Sequence, residues 1–250
     1  MERASSKPLL EICIESVASA IAAEQGGAQR VELCDYLAGG GTTPSAGMIE
    51  VVRQSIRIGL HVLIRPRRGD FLYSPAEFEV MKRDIQLCRQ LGADGVVIGA
   101  LTKDGSIDVA GTQQLIEAAE GMSITFHRAF DRAADPYKAL DDLLQLNVHR
   151  LLTSGQQETA LQGAGLIREL RERSEGKLII LPGGGVTPDN VRELVAKTGV
   201  QEVHASVRKS VDSDMVYRKD QPAMSSNRVL SEFEQLVADV EQVRALGAGW

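Results

Sequence analysis

The chain has 250 residues, 43% hydrophobic and 25% charged, which suits one globular domain with its own buried core. Its formal net charge of −6 argues against a dedicated nucleic-acid binder, which carries a basic face, yet leaves room for a local basic pocket. No run approaches a membrane span, the opening MERASSKPLLEICIES lacks the apolar stretch of a secretion signal, and Cys13, Cys34 and Cys88 form no disulfide framework, so a cytoplasmic setting is expected.

Short apolar runs alternate with helical patterns from one end to the other. Eight of them read as strands: LLEICIE (9–15), RVELCD (30–35), HVLIRP (61–66), GVVIGA (95–100), SITFHR (123–128), RLLTSG (150–155), KLIILPG (177–183) and EVHASV (202–207). They recur every 20 to 35 residues or so, roughly the length of a strand–helix unit. Helical spacing appears from about Glu77 to Leu91, through Phe78, Met81, Ile85 and Cys88, and from about Thr159 to Arg173, through Leu161, Leu166, Ile167 and Leu170. Such alternation implies a parallel sheet. Eight units close into a single (β/α)₈ barrel over residues 1–250 more naturally than into a doubly wound sheet. After strand eight, residues 208–230 are expected to form a long polar loop, with Lys209–Arg228 placed to cover the mouth. Ser231 and Glu234 have capping-box spacing, and Phe233, Leu236, Val237, Val240 and Val243 predict a last helix over 231–246.

Alternation along the strands assigns faces. Leu10, Ile12, Ile14, Val31 and Leu33 should face the helices, which turns Glu11, Cys13, Glu15, Glu32 and Cys34 into the barrel. By the same count His61, Leu63 and Arg65, Thr125 and His127, and His204 and Ser206 point inward. Barrel interiors are ordinarily filled by Val, Ile and Leu, and buried charges must be paired. Glu32 and Arg65, on neighbouring strands, are the expected ion pair. Such a set is either a structural polar network or a functional site; convergence of so many ionisable groups favours the site. Glu15, Glu32, Arg65, Arg67, His127, Asp131 and Ser206 are expected to line the mouth, with no such convergence at the opposite face near Lys177 and His61.

Strand seven runs into PGGGVTPDN. Thr187 reads as a helix N-cap with Pro188 as the first helical residue. Gly183, Gly184 and Gly185 either make a tight turn or offer backbone N–H groups to an anion, since loops after strands seven and eight of this fold often hold phosphate. Ser206, Arg208 and Lys209 follow strand eight beside them. Apart from Lys209, no lysine directly follows a strand, which argues against a Schiff-base aldolase.

The segments EICIES, GGAQRVELCD, GGTTPSAG, IRPRRGDFLYS, MKRDI, GADGVVIGALTKDGSID, TFHRAFD, LLTSG, LPGGGVT and VHASVR together resemble the CutC family of copper homeostasis proteins. The resemblance implies a (β/α)₈ barrel, a cytoplasmic homo-oligomer (dimer or tetramer), and Cu(I) binding through cysteines, with Cys13 and Cys34 at the two barrel positions. Thiolates are soft ligands suited to Cu(I). Cys88, on an outer helix, is expected to pack. The sequence departs from the family at TSGQ, where Gln156 stands at a usual glycine, and in the segment after strand eight. Three functional readings remain open. One is a copper-binding protein without turnover. Another is an enzyme on a small anionic or phosphorylated metabolite, with Glu32, Arg65, His127 and Asp131 as catalytic candidates and Arg67, Gly183, Gly184, Gly185, Ser206 and Arg208 as anion-binding ones. The third is a scaffold that acts through its oligomer surface.

Overall fold

A computed structural model describes residues 7–219, 221–222 and 231–249. Eight parallel strands form the ring: β1 (Leu9–Ile14), β2 (Arg30–Leu33), β3 (Gly59–Leu63), β4 (Gly95–Ile98), β5 (Ser123–Phe126), β6 (Arg150–Thr153), β7 (Ile179–Pro182) and β8 (Glu202–Ala205). Each pairs with its predecessor up to β7, and β1 also pairs with β8. β7 and β8 pack side by side without a hydrogen-bonded ladder, so the barrel is nearly closed. Every expected strand is present. The helices α1 (Val17–Gln25), α2 (Ala46–Ser55), α3 (Pro75–Gln90), α4 (Val109–Ala119), α5 (Pro136–Gln145), α6 (Ala164–Arg173), α7 (Val191–Thr198) and α8 (Val240–Ala248) surround it.

Local chemistry sets many of the helix starts. Ser74 and Glu77 form a capping box at α3, with Pro75 in the first turn, and Asp135 caps α5 ahead of Pro136. Leu10, Ile12 and Ile14 join the main apolar core, between sheet and helices. Cys13, Cys34, Leu63 and Val97 form a separate small cluster, with Leu37 packed against it. The face assignment read from alternation therefore holds for β1 to β3.

The closing segment corrects two expectations. Arg208–Asp212 is a strand, β9, paired antiparallel with β10 (Glu234–Ala238). The Ser231 N–H still donates to Glu234 Oε2 at 3.1 Å, but the chain continues extended, and α8 begins only at Val240, capped by Asp239. The apolar spacing from Phe233 to Val237 fits either period over so short a stretch. The ladder to β9, and the Ala238 N–H donating to Ser19 Oγ at 3.1 Å, satisfy the backbone groups a helix would have used. Of the expected cover Lys209–Arg228, the start is thus a strand, and residues 220 and 223–230 lie outside the described residues. Thr187 and Pro188 likewise start a turn. α7 begins at Val191 after Asn190, whose side chain accepts from the Thr187 N–H at 2.9 Å.

The N-terminal end of the barrel interior also differs, because it carries a buried ionic network. Arg30 is ion-paired to Glu11 and reaches Glu202 at 2.5 Å. Arg150 donates to the same Glu202 carboxylate at 2.8 Å and to Ser123 Oγ at 2.7 Å. His61 lies 4.0 Å from Glu11. Arg30 and Glu202 open β2 and β8, two residues before Glu32 and His204 and so on the same inward face, and Arg150 opens β6, a strand to which alternation assigned no face. Truncating one member of a buried pair strands the other charge, so Arg30→Ala should lower unfolding free energy by about 3–5 kcal/mol. Arg89→Ala, which removes an exposed pair with Glu120, should cost under about 1 kcal/mol. Urea unfolding of the two variants checks the contrast.

Candidate functional site

Above that floor lies a layer built on two cysteines. β1 and β2 run in register with Cys13 opposite Glu32, which brings Cys13 Sγ within 3.7 Å of Cys34 Sγ. Cys34 Sγ is 3.5 Å from Glu32 Oε2. His204 enters from β8, with Nδ1 2.7 Å from Glu11 Oε1 and Nε2 3.7 Å from Glu32 Oε2. All four side chains are buried. The sulfurs and a Glu32 oxygen lie within 4.8 Å of one another.

The electrostatics divide these groups sharply. The hydrogen bond from Cys34, helped by His204 and opposed by burial, pulls the Cys13 thiol down to about 5. Cys34 is pushed well above its usual value by that same contact and by burial. Burial, then the negative charge on Cys13, raises the Glu32 carboxyl. Burial disfavours the His204 cation, but contacts with Cys13, Glu11 and Glu32 outweigh it, and its pKa rises. These shifts favour the thiolate of Cys13 and the cation of His204, and they favour the protonated forms of Cys34 and Glu32. A thiolate is the metal-binding form of cysteine. Metal–thiolate bonds of about 2.3 Å place two opposed sulfurs about 4.6 Å apart. The pair observed at 3.7 Å needs to open by less than about 1 Å to fit that arrangement.

A cavity of about 360 Å³ rises from this layer to the C-terminal mouth. Cys13, Cys34, Glu32 and His204 line its inner part, and His127, Arg128, Gly184, Gly185, Ser206 and Arg208 line the rest. Sequence reasoning missed His204 as a partner of the cysteines and Arg128 as a wall residue. Inward alternation on β8 was the available signal for His204; Arg128 lies in a 3₁₀ turn after β5, where alternation says nothing.

The other expected residues are engaged elsewhere. Arg65 does not pair with Glu32. It donates to the carbonyls of Gly40, Gly41 and Gly69 at 3.0, 2.9 and 2.8 Å, so its charge is met by loop backbone rather than by a carboxylate. Arg67 turns outward to Glu77 and Asp70 and does not line this cavity. The Gly183 N–H donates to Thr153 O at 3.0 Å, so only the two glycines after it face the opening. Glu15 accepts from the Leu37 N–H at 3.0 Å and from Arg208 at 3.4 Å. Asp131 accepts from Thr153 Oγ1, the Ser154 and Gln156 N–H groups and Arg128 Nε, and so ties strand five's loop to strand six's. Gln156 belongs to that tie. Its φ of 55° is the left-handed conformation that suits glycine, and its side-chain amide donates to Phe130 O and Ala133 O at 3.2 and 2.8 Å.

The fold and this site define a parallel (β/α)₈ barrel with a buried dithiol below a polar mouth. Residues 8–209 match the model of the CutC family. A Chromobacterium violaceum relative named as family protein CutC is 51% identical over 95% of this chain and 96% of its own. A human protein named copper homeostasis protein cutC homolog is 48% identical over 96% of this chain and 88% of its own. A solved Streptococcus agalactiae structure named for CutC superposes with a TM-score of 0.77 at 36% identity, covering 80% of this chain and 98% of that one. The chain belongs to the CutC family.

Two buried histidines set an acid limit on the fold. Burial, then Arg65, depresses His127 to about 3, and burial depresses His61 to about 4. Below about pH 6.5 the unfolded chain therefore binds protons that the folded chain refuses, and stability falls with pH. The contribution of both groups is complete above their ordinary value and is lost as pH drops toward 4 and then 3. His204 acts oppositely, losing its contribution as pH rises through its elevated value. Urea midpoints should climb from pH 4.5 to 6.5, and the His127 imidazole signals in NMR should not titrate above about pH 5. A His127 transition near pH 6 would contradict this assignment.

Proposed function

We propose that this protein takes Cu(I) as cargo between Cys13 and Cys34 and serves copper homeostasis in the cytosol. The observation that carries the reading is the unbridged pair of buried sulfurs at 3.7 Å, at the inner end of an open cavity, with the Cys13 thiol lowered by its contact with Cys34. Two soft sulfur donors suit Cu(I) over hard divalent ions. Glu32 stands by as a third donor, and His204, fixed by Glu11, keeps the thiolate's charge balanced before the metal arrives. Membership of a family whose relatives carry copper homeostasis names supports the same role. Three cysteines without a disulfide suit a reducing compartment. Among the described residues no helix is long and apolar enough to cross a membrane.

Anaerobic titration with Cu(I) against a chromophoric competitor tests the reading. The wild type should bind one Cu(I) per chain. Cys13→Ser and Cys34→Ser should each weaken binding by about a hundredfold or more, since a hydroxyl is a hard replacement for a soft ligand. Cys88→Ser should bind as the wild type does, because Cys88 packs in α3 with its thiol pushed up to about 12 by burial. Equal affinity in all three variants would refute the dithiol site. The homo-oligomer implied by family resemblance has exposed apolar surface available at Met215, Val216 and Tyr217, and sedimentation of the reduced protein measures its size.

A further inference from the structure

A copper ion needs two or three donor atoms, yet the cavity above Cys13 and Cys34 holds about 360 Å³, the scale of a small-molecule site. Its outer wall carries several unused hydrogen-bond donors. Gly184 and Gly185 take φ of 105° and 67°, and their N–H groups donate to no acceptor among the described residues. Arg128 is pinned beside them: Nε donates to Asp131 at 2.7 Å and Nη2 to Ser154 Oγ at 2.8 Å. Its Nη1 has no protein acceptor among the described residues, and a Cβ built on Gly184 would stand 3.3 Å from it. Glycine at 184 thus keeps the space in front of the guanidinium clear. Beyond β8, the Ser206 side chain is exposed and makes no hydrogen bond among the described residues, and the side chain of Arg208, at the start of β9, bonds among them only to Glu15, at 3.4 Å.

A further donor sits on the inner wall. His127 is 5% exposed and lines the cavity. Its Nδ1 accepts from the Ala129 N–H at 3.1 Å, so the ring proton resides on Nε2, which finds no partner. An unpaired buried donor costs free energy, and a ligand oxygen would relieve it once a small shift of the ring opens Nε2 to the cavity.

We propose that the cavity binds a small phosphate monoester, with its phosphate held by Gly184, Gly185, Arg128, Ser206 and Arg208 and an oxygen of its body accepting from His127. Backbone N–H groups and a hydroxyl together with two guanidinium groups offer more donors than the two oxygens of a carboxylate can use. The three free oxygens of a phosphate monoester match them better, and charge-assisted bonds to arginine are the strong ones. Loops after strands seven and eight are where this fold commonly holds phosphate. The inference goes beyond copper binding and does not rest on it, because the phosphate wall and the dithiol use different residues.

Isothermal titration of the reduced, metal-free protein with glycerol 3-phosphate, inorganic phosphate, lactate and glycerol tests it. Glycerol 3-phosphate should bind saturably, inorganic phosphate more weakly, and lactate and glycerol not at all. Arg128→Ala and Arg208→Ala should each weaken glycerol 3-phosphate roughly ten- to a hundredfold, the loss of one hydrogen bond to a charged group. Arg128→Ala also frees Asp131 and can loosen the fold, so Ser206→Asp serves as the second probe. It alters an exposed, unbonded side chain and should abolish phosphate binding by repulsion while the melting temperature holds. Cys13→Ser should keep glycerol 3-phosphate binding, and Ser206→Asp should keep Cu(I) binding, so failure of one site is separable from failure of the other. No saturable binding of glycerol 3-phosphate, undiminished binding in Arg208→Ala and Ser206→Asp, or an equal response to lactate would overturn the proposal.

Discussion

The Glu11 carboxylate holds Arg30 with one oxygen and His204 with the other. Burial alone would push this acid toward its neutral form; Arg30, then His204, hold it well below the carboxylate range instead. Two parts of the barrel interior depend on that charge. Below it, Arg30 passes to Glu202 and Glu202 to Arg150, which clamps β1, β2, β6 and β8 from inside. Above it, the His204 ring is oriented by the bond at Nδ1, leaving Nε2 facing Glu32. Coulomb attraction in a dry interior is strong only when each charge has a close partner, and this chain of partners extends from the closed end of the barrel to the dithiol.

The dithiol layer gains its character from the same arrangement. Cys13 and Cys34 are otherwise ordinary small residues filling a barrel beside Leu63 and Val97. The hydrogen bond from Cys34, helped by His204, lowers the Cys13 thiol although burial opposes it. The other stays protonated because two adjacent sulfurs in low dielectric do not both ionise readily. Burial, then the charge on Cys13, raises the Glu32 carboxyl for a related reason.

The departure at Gln156 is contained by its surroundings. A non-glycine residue with positive φ costs roughly 1–2 kcal/mol, and the two bonds from its side chain to Phe130 and Ala133 offset that cost. They fasten the turn after β5, which carries Asp131 and Arg128. Gln156 therefore stays outside the cavity and acts on it through Arg128, which Asp131 and Ser154 hold in place beside Gly184.

Sequence by itself determined the architecture. Eight apolar runs at strand–helix spacing, and the alternation of Leu10, Ile12 and Ile14 with Glu11 and Cys13, specify the barrel and the inward face, because burial of one strand face is a strictly local pattern. Alternation also brought Cys13, Cys34, Glu32, His127 and His204 to the interior and Ser206 to the rim of its cavity. Only the tertiary structure decided who partners whom. Glu32 and Arg65 share a face, but loop carbonyls reach the guanidinium first. Glu11 and His204 are 193 residues apart and meet only because β8 closes onto β1. The segment 234–238 is a strand because β9 lies beside it, although its own apolar spacing reads equally well as helix. Periodicity records which face a residue occupies; distance across a closed barrel depends on register and closure, which no single segment encodes.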